Sequence, residues 1–584
     1  MSTSQKKPAV EWRLKKFDPE LLENLGRGRK LQQPTLKAMA QAGLTDSGMV
    51  ESFLNPSLED WTGLKAFSSL KSGAKAIVDL LEEHQPVCIH GDFDSDGLCA
   101  THILTNGLKA LGVDVFGHCP RRGDGHGISV ASLEGVVEKG AKLVITVDCG
   151  TSAFEEAKRA KELGVPLFIT DHHLPDESLP EAECIINPQL EDDGEPWQGL
   201  SGSGIAFKLI LEISQHFPSS RTNTQAYQTF FRDALVMAAI ATIADVMPLT
   251  GPNRPLVQSA LSMIGSVENL GLKGLVDHVT KKDALRAEDL AFQLIPRLNA
   301  AQRLEQPELI QNLFSASTPE EAKKVCGELD TLNQRRRELQ ERFSNLALTR
   351  VQETGAGQKS VVIVMGDEWP ESFNGLIASR LVGEYHRPAV VIRKKEDYYQ
   401  ASCRAPQPYH LKEVLDSGSQ HLLGHGGHAQ AAGFQINKDN WEPFEEHLLS
   451  SFSVQSENAQ VFRMVLIDDL PFTSLNEGLA KEISLLEPFG QGNPKPLFAC
   501  RGLLFDGSLR FMGKDGNHVG FKVFIEGQNS IDGVAFGMAE SFNALDSHGK
   551  IDLAFYLGTS PYNGRLQLMV QAVRPHQTPK ARVH

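Results

Sequence analysis

Residues 90–97 read His-Gly-Asp-Phe-Asp-Ser-Asp-Gly, with three carboxylates at alternate positions behind a histidine. Further along, Asp148 closes the apolar run KLVITVD, and Asp171, His172 and His173 close VPLFITD. Carboxylates this close repel one another, so their clustering points to a cation that neutralises them. On an extended backbone the period of two puts Asp92, Asp94 and Asp96 on one face. Oxygen and imidazole donors converging on one spot suit hard to borderline divalent ions such as Mn2+ or Mg2+. A pair of such ions lowers the pKa of water and clamps both the attacking and the leaving oxygen of a phosphate. A single strand-end aspartate is more commonly a turn former or a helix N-cap, and Asp92 and Asp171 fit that simpler role. The recurrence at successive strand ends is what carries the chemical reading.

Positioning these residues requires strands that end together. SGAKAIVDLLEE (72–83) is amphipathic with helical spacing, and PVCIHG (86–91) is a short apolar run suited to a buried strand. Helical spacing returns at 97–112, and 113–119 follows as VDVFGHC. Residues 142–148 read as a strand, 152–164 as a helix ending at glycine, and 165–171 as another strand. This alternation predicts an α/β domain with a parallel sheet covered by helices. In such sheets ligands gather beyond the carboxyl ends of the strands, where these Asp and His residues fall.

Residues 203–345 look mostly helical and include the apolar DALVMAAIATIAD (233–245). The stretch 328–353 lacks glycine and proline, which predicts one long exposed helix joining two lobes, with 353–360 as a linker. VVIVMG (361–366), AVVIRK (389–394) and YQASCRA (399–405) begin a second α/β segment ending near 455. The last part reads as three strands, a short helix and two strands between glycine turns, the order of an OB-fold β-barrel.

At 584 residues the chain is long enough for three or four domains, and 41% hydrophobic with 22% charged residues is a globular composition. The eight cysteines include no C-x-x-C pair, which argues against a zinc site or a disulfide scaffold and fits a reducing cytoplasm. No apolar signal segment opens the sequence, and the apolar stretch Ala234 to Ala244 is too short to span a bilayer. A net charge of −15 argues against a protein that coats duplex DNA, while leaving room for a local basic channel.

Four segments in order, HGDFDSDG, VDCG (147–150), DHH (171–173) and IADVMPL (243–249), resemble the motifs of the DHH phosphoesterase superfamily. PRLNAAQR (296–303), GGHAQAAG (426–433) and EPFGQGNPKPLF (487–498) extend the resemblance to the RecJ family of bacterial single-strand-specific 5′→3′ DNA exonucleases. The resemblance implies a two-metal site with Asp94, Asp96, Asp148, His172 and Asp245 as ligands and Asp148 as the bridge. His90 stands where related pyrophosphatases place a further ligand, and His173 corresponds to the residue contacting the scissile phosphate. Spacing alone makes Asp245 a helix terminus. Gly427 and His428, with Arg404 of SCRAP, resemble the phosphate-holding motif of a DHHA1 domain; the alternative is a tight turn with His428 as a packing residue. Arg297, Asn299 and Arg303 either reach the substrate strand or pair with local carboxylates. Two departures, WPESFNG (369–375) for the usual W-H-x-G-V-x-G and Gln302 for the usual glycine, bear on substrate grip rather than on the metal ligands.

In the barrel, Phe505, Phe511, Phe521, Phe524 and Tyr556 lie among Arg501, Arg510, Lys514 and Lys522. Aromatics with basic neighbours suit single-stranded nucleic acid, and alternate aromatics also fill small barrels. The expected organisation is a helical segment at 1–70, a DHH catalytic domain at 71–327, a connecting helix and linker at 328–358, a DHHA1 domain at 359–455, and an OB-fold with a basic tail at 456–584. The resemblance further implies single-stranded DNA as substrate, a helicase and a single-stranded-DNA-binding protein as partners, no membrane, and a monomer. The rival readings are a DHH phosphodiesterase for oligoribonucleotides or cyclic dinucleotides, and a catalytically silent DNA-binding scaffold.

Overall fold

The computed structural model describes the chain apart from residues 1–10, 64, 122–124, 192–195, 280–284, 459–462, 506, 514, 528, 546–548, 561–562 and 577–584. Two compact units divide it. One comprises Trp12–Pro296, Ile310–Cys326 and the chain from Val465 onward; the other is mainly Gly327–Met464 with Arg297–Leu309.

In the larger unit five parallel strands form one sheet: β1 (Val87–Gly91), β2 (Val115–His118), β3 (Leu143–Val147), β4 (Leu167–Thr170) and β5 (Cys184–Ile186). Every residue of β1, β3 and β4 is buried, as expected of continuous apolar strands covered on both faces. Each such Val, Ile or Leu side chain contributes about 1.5–3 kcal/mol when fully buried. The three-residue β5 was not expected, because so short a segment carries no readable period. The strand order 2-1-3-4-5 reverses between β1 and β3, which creates a crevice at the ends of those two strands.

The helices include α1 (Ser95–Ala110), α2 (Val130–Glu138), α3 (Phe154–Leu163), α4 (Gly202–Ser214) and α5 (Gln225–Ala244). Helix α2 was also unexpected. Helix α3 ends as its sequence predicts, at Gly164 in the left-handed conformation. Helix α1 is buried on nearly all sides. Its Gly107 lets α4 and α5 approach, since a Cβ there would lie 2.3 Å from Ile210 and 2.8 Å from Phe230.

The long helix α6 runs Pro319–Thr354, starting nine residues before the expected position, and passes from one unit into the other. It is not simply exposed: Cys326, Leu329, Phe343, Ala347 and Val351 are buried along it. The smaller unit holds a sheet of β6 (Val362–Gly366), β7 (Ala389–Lys394), β8 (Tyr398–Arg404), β9 (Leu422–Gly427) and β10 (Ala431–Asn437), ordered 9-10-8-7-6. Only the β6–β7 pair is parallel.

The C-terminal strands are β11 (Leu497–Phe505), β12 (Arg510–Met512), β13 (His518–Phe524), β14 (Ile531–Ala535), β15 (Lys550–Thr559) and β16 (Leu566–Pro575), with a short helix at Ala539–Asn543. Strands 11-15-16-14-13 pair in sequence and β13 returns to β11, which closes the barrel. Its core is shared with the N-terminal helices, whose Leu25, Met39, Val50 and Phe53 pack in one cluster with Phe498, Leu553 and Phe555. Among the described residues no helix is long and apolar enough to cross a membrane.

Candidate metal centre

Strands β1, β3 and β4 deliver the acidic residues to the crevice at their carboxyl ends. Asp94 is the N-cap of α1, its Oδ1 accepting from the N–H groups of Asp96 (2.9 Å) and Gly97 (3.0 Å). The simpler N-cap role is therefore real here, and it leaves the second carboxylate oxygen for other work. Asp96 is buried, and its two oxygens accept from the backbone N–H groups of Gly202 and Ser203, each at 2.7 Å, at the start of α4. A helix N-terminus stabilises a carboxylate held there. Sequence reading missed this support, which the run SGSG (201–204) hints at by placing small residues before an apolar helix.

Asp148 follows β3 with φ +62°, a left-handed conformation that aspartate tolerates better than most residues. Its Oδ1 is buried, lacks a hydrogen-bond partner, and lies 3.1 Å from His172 Nε2. The same His172 nitrogen is 3.7 Å from Asp245 Oδ2 and 4.0 Å from Asp96 Oδ2. Two sets of potential ligand atoms thus gather within 4.8 Å: Asp96, His172 and Asp245, and Asp148, His172 and His173. Asp94 and His90 lie outside both sets. His90 is fully buried, its Nε2 paired with Ser132 Oγ at 3.0 Å and its Nδ1 without a partner. Gly202 is obligatory in this packing, because a Cβ there would sit 2.5 Å from Asp148 Oδ1.

Burial and mutual repulsion drive these carboxyls upward. Asp94 is raised to about 6 and Asp245 to about 8 by burial and then by neighbouring aspartates, and Asp148 goes well above the usual range for the same reasons. Burial lowers His172, and it lowers His90 to about 3. Asp171 behaves differently. Its burial is outweighed by hydrogen bonds from His173 (2.7 Å to Nδ1) and the Thr151 N–H (2.9 Å), so its carboxyl stays below the usual range. That same bond raises His173 to about 9. The expectation for Asp171, a local turn former, was too modest: it orients His173, as carboxylates commonly orient site histidines. Asp92 does shape the loop, accepting from the Gly127 N–H at 3.0 Å.

Carboxylates kept apart from water and forced together, with one buried oxygen lacking a donor, form a set that a divalent cation fits. The donors are hard oxygens and imidazole nitrogens, which suit Mn2+ or Mg2+. Beside them opens a cavity of ≈ 500 Å³ lined by Asp92, Asp148, Thr151, Asp171 and His173, among others.

Three family descriptions match: DHH family, N-terminal domain, at 86–242; DHHA1 domain at 357–453; and RecJ OB domain at 468–572. The single-stranded-DNA-specific exonuclease RecJ of Haemophilus influenzae is 31% identical over 524 residues, covering 87% of this chain and 90% of the relative. The chain belongs to the RecJ family. Crystal structures of Thermus thermophilus RecJ with Mn2+ and with Mg2+ are similar to it, at 28% identity with a TM-score of 0.78 and 26% with 0.74. Each comparison covers 97% of this chain, and the matches span 80% and 79% of those structures.

The remaining expected RecJ-type residues are distributed as follows. In the smaller unit Arg297 pairs with Asp330 at 2.6 Å, and Arg303 donates to the Ser372 carbonyl. Asn299 is half-buried on the same helix. Arg404 donates to the Cys403 carbonyl, and Gly375, the glycine retained in WPESFNG, leaves room for its guanidinium. His428 is exposed just beyond β9. Gly427 has φ +124°, and a Cβ there would lie 2.5 Å from the Ala431 carbonyl oxygen. In the barrel Phe505 and Phe521 are core, against Phe542. Phe511 is 49% exposed, and Arg510 and Lys522 are exposed. Arg501 is engaged by Asp469, and Lys514 and the tail from 577 lie outside the described residues. Phe536, missed in the sequence, is 65% exposed with its ring against His518.

Proposed function

We propose that this chain hydrolyses single-stranded DNA from the 5′ end, releasing 5′-mononucleotides, with two Mn2+ or Mg2+ ions held by Asp94, Asp96, Asp148, His172 and Asp245 and with His90 as a further ligand. The observation that carries the reading is the meeting of the buried Asp96, Asp148 and His172 with the half-buried Asp245 in a chain of the RecJ family. Divalent ions bound there supply a lowered pKa for water and neutralise charge on the phosphate that is cut. The protein's own residues do the rest. The Gly202 and Ser203 N–H groups hold the Asp96 carboxylate in place. Asp171 fixes the His173 ring and favours its protonated form, so His173 donates to a phosphate oxygen.

In this reading the 359–455 domain grips the substrate backbone through Arg404, Gly427 and His428 with Arg297, Asn299 and Arg303. Arg297 and Arg303 each exchange a local partner for a phosphate. The barrel holds the strand farther from the cut, using Phe511 and Phe536 with Arg510 and Lys514. The chain acts as a cytoplasmic monomer in recombination and repair, beside a helicase and a single-stranded-DNA-binding protein.

End-labelled single-stranded DNA, duplex DNA and a short RNA, each incubated with purified protein and Mn2+, test this directly. Mononucleotides are expected from the single strand alone, starting at its 5′ end; no release from it sinks the reading. Asp148→Ala is expected to abolish turnover while single-strand binding persists.

A further inference from the structure

Asp245 is the one proposed ligand that lies neither in a sheet strand nor just after one. It caps the C-terminus of α5, its N–H bonded to Ala241 O, and the chain then reverses through Val246 at φ +57°. A β-branched residue in that region is strained by about 1–3 kcal/mol and persists only where its surroundings impose it. Val246 cannot anchor itself, since it is 66% exposed. The restraint comes from the residues after it. Met247 N–H closes the helix on Thr242 O at 3.0 Å, and Asn253, buried, donates to both Pro248 O (2.9 Å) and Gly199 O (2.6 Å).

The other restraint is distant in sequence. Leu249 N–H donates to Gln491 O at 2.7 Å, within the loop Glu487–Pro494, EPFGQGNP. This loop presses on 248–250 with no side chain between. A Cβ on Gly490 would lie 2.6 Å from Leu249 Cδ1, and one on Gly492 would lie 3.2 Å from Pro248 Cβ. The loop is itself rigid. Gly490 and Asn493 exchange backbone hydrogen bonds, and the buried Asn493 side chain donates to Leu486 O and Pro488 O, both at 2.8 Å. Phe489 anchors it in the cluster that forms the barrel core.

We infer that the Glu487–Pro494 loop is a positioning element for the Asp245 carboxylate, so that the strength of metal binding depends on how the barrel core seats this loop. The inference rests on the reading of Asp245 as a ligand. Supports behind a ligand commonly change metal affinity about 10- to 100-fold when altered, and a change of that size is expected here.

The test is Mn2+ titration calorimetry on the full chain without DNA, followed by kinetics at low and saturating Mn2+. Gly490→Ala is expected to weaken Mn2+ binding within that range. Its turnover should fall at low Mn2+ and recover at saturation, with KM for single-stranded DNA unchanged. Adding Leu249→Ala makes room for the new Cβ and should return most of the affinity. Asn493→Ala frees the loop without a clash and decides the matter if Gly490→Ala does not fold. Gly564→Ala strains a barrel turn at φ +68° in open space, and it should leave Mn2+ affinity unchanged. Wild-type affinity in both Gly490→Ala and Asn493→Ala, with Asp245→Asn weakened, overturns the inference alone. Wild-type behaviour of Asp245→Asn overturns the ligand reading and this inference with it.

Discussion

Asp94, Asp148 and Asp245 all titrate higher in the folded chain than an ordinary carboxyl, because burial and their neighbours disfavour the charged form. Folding without metal therefore takes up protons. The stability these groups contribute is fully present below about pH 4, where the unfolded carboxyls are protonated too. It is lost as pH rises through about 6 for Asp94 and about 8 for Asp245. In EDTA the thermal midpoint is expected to fall over that window, and the increment produced by Mn2+ should grow with pH. Asp245→Asn should flatten the metal-free slope; an equally steep slope in that variant would mean the acidic cluster is not its source. The pairing of Asp171 with His173 holds both charged forms, so its contribution is lost as pH falls through the lowered Asp171 value and also as pH rises through about 9 at His173. Side-chain types at strand ends were readable from the sequence. Which backbone amides hold Asp171 and Asp96, and which carboxylate oxygen is left without a donor, were not, because those relations depend on groups well over a dozen residues away, such as Thr151 for Asp171 and Gly202 for Asp96.

At the scale of elements, the β9–β10 hairpin and the barrel make separable predictions. Gly427→Ala meets both a positive φ and a carbonyl oxygen, so the turn carrying His428 must reshape. KM for single-stranded DNA is expected to rise about tenfold, the equivalent of ~1.4 kcal/mol, while Mn2+ affinity measured calorimetrically stays constant. In the barrel, alternate aromatics split by face. Phe511→Ala and Phe536→Ala should weaken single-strand binding by about 1–3 kcal/mol each without lowering the melting temperature. Phe521→Ala should destabilise by about 3–5 kcal/mol as a core cavity; the reverse pattern would overturn the assignment of faces. The sequence predicted the elements well where apolar runs were long, as at β1, β3 and β4. It was silent on β5 and α2, and it placed α6 as exposed because charged helix formers mask the narrow apolar stripe of Phe343, Ala347 and Val351.

At the scale of the whole chain, segments far apart in sequence share one core. Helices between residues 19 and 54 contribute Leu25, Met39 and Val50 to the barrel core, more than 400 residues away in sequence. Arg254 ties the same region together from within the catalytic part. Its buried guanidinium donates to Phe53 O (2.7 Å), Leu486 O (3.1 Å) and Glu487 O (2.9 Å) and lies 3.5 Å from the Phe53 ring centroid. Arg254→Ala would remove this donor from the Phe53 and Glu487 carbonyls at about 1–3 kcal/mol each, while Leu486 O keeps the Asn493 side chain. The variant should show early proteolysis in both the N-terminal helices and the barrel; cleavage confined to one of them would argue against a shared core.

By itself, the sequence determined the alternation of strand and helix, the barrel order and the identity of the acidic residues at strand ends. These are local properties: period, apolar run length and turn residues act within a dozen positions. Only the tertiary structure decided that Asp96 rests on the start of α4, that Asp171 serves His173, and that the Glu487–Pro494 loop backs the chain beyond Asp245. The first and last are hydrogen bonds and sub-van der Waals fits between distant segments, and the second depends on the Thr151 N–H that the fold brings to Asp171. No local pattern encodes them, because the partner groups are mostly backbone amides and missing side chains.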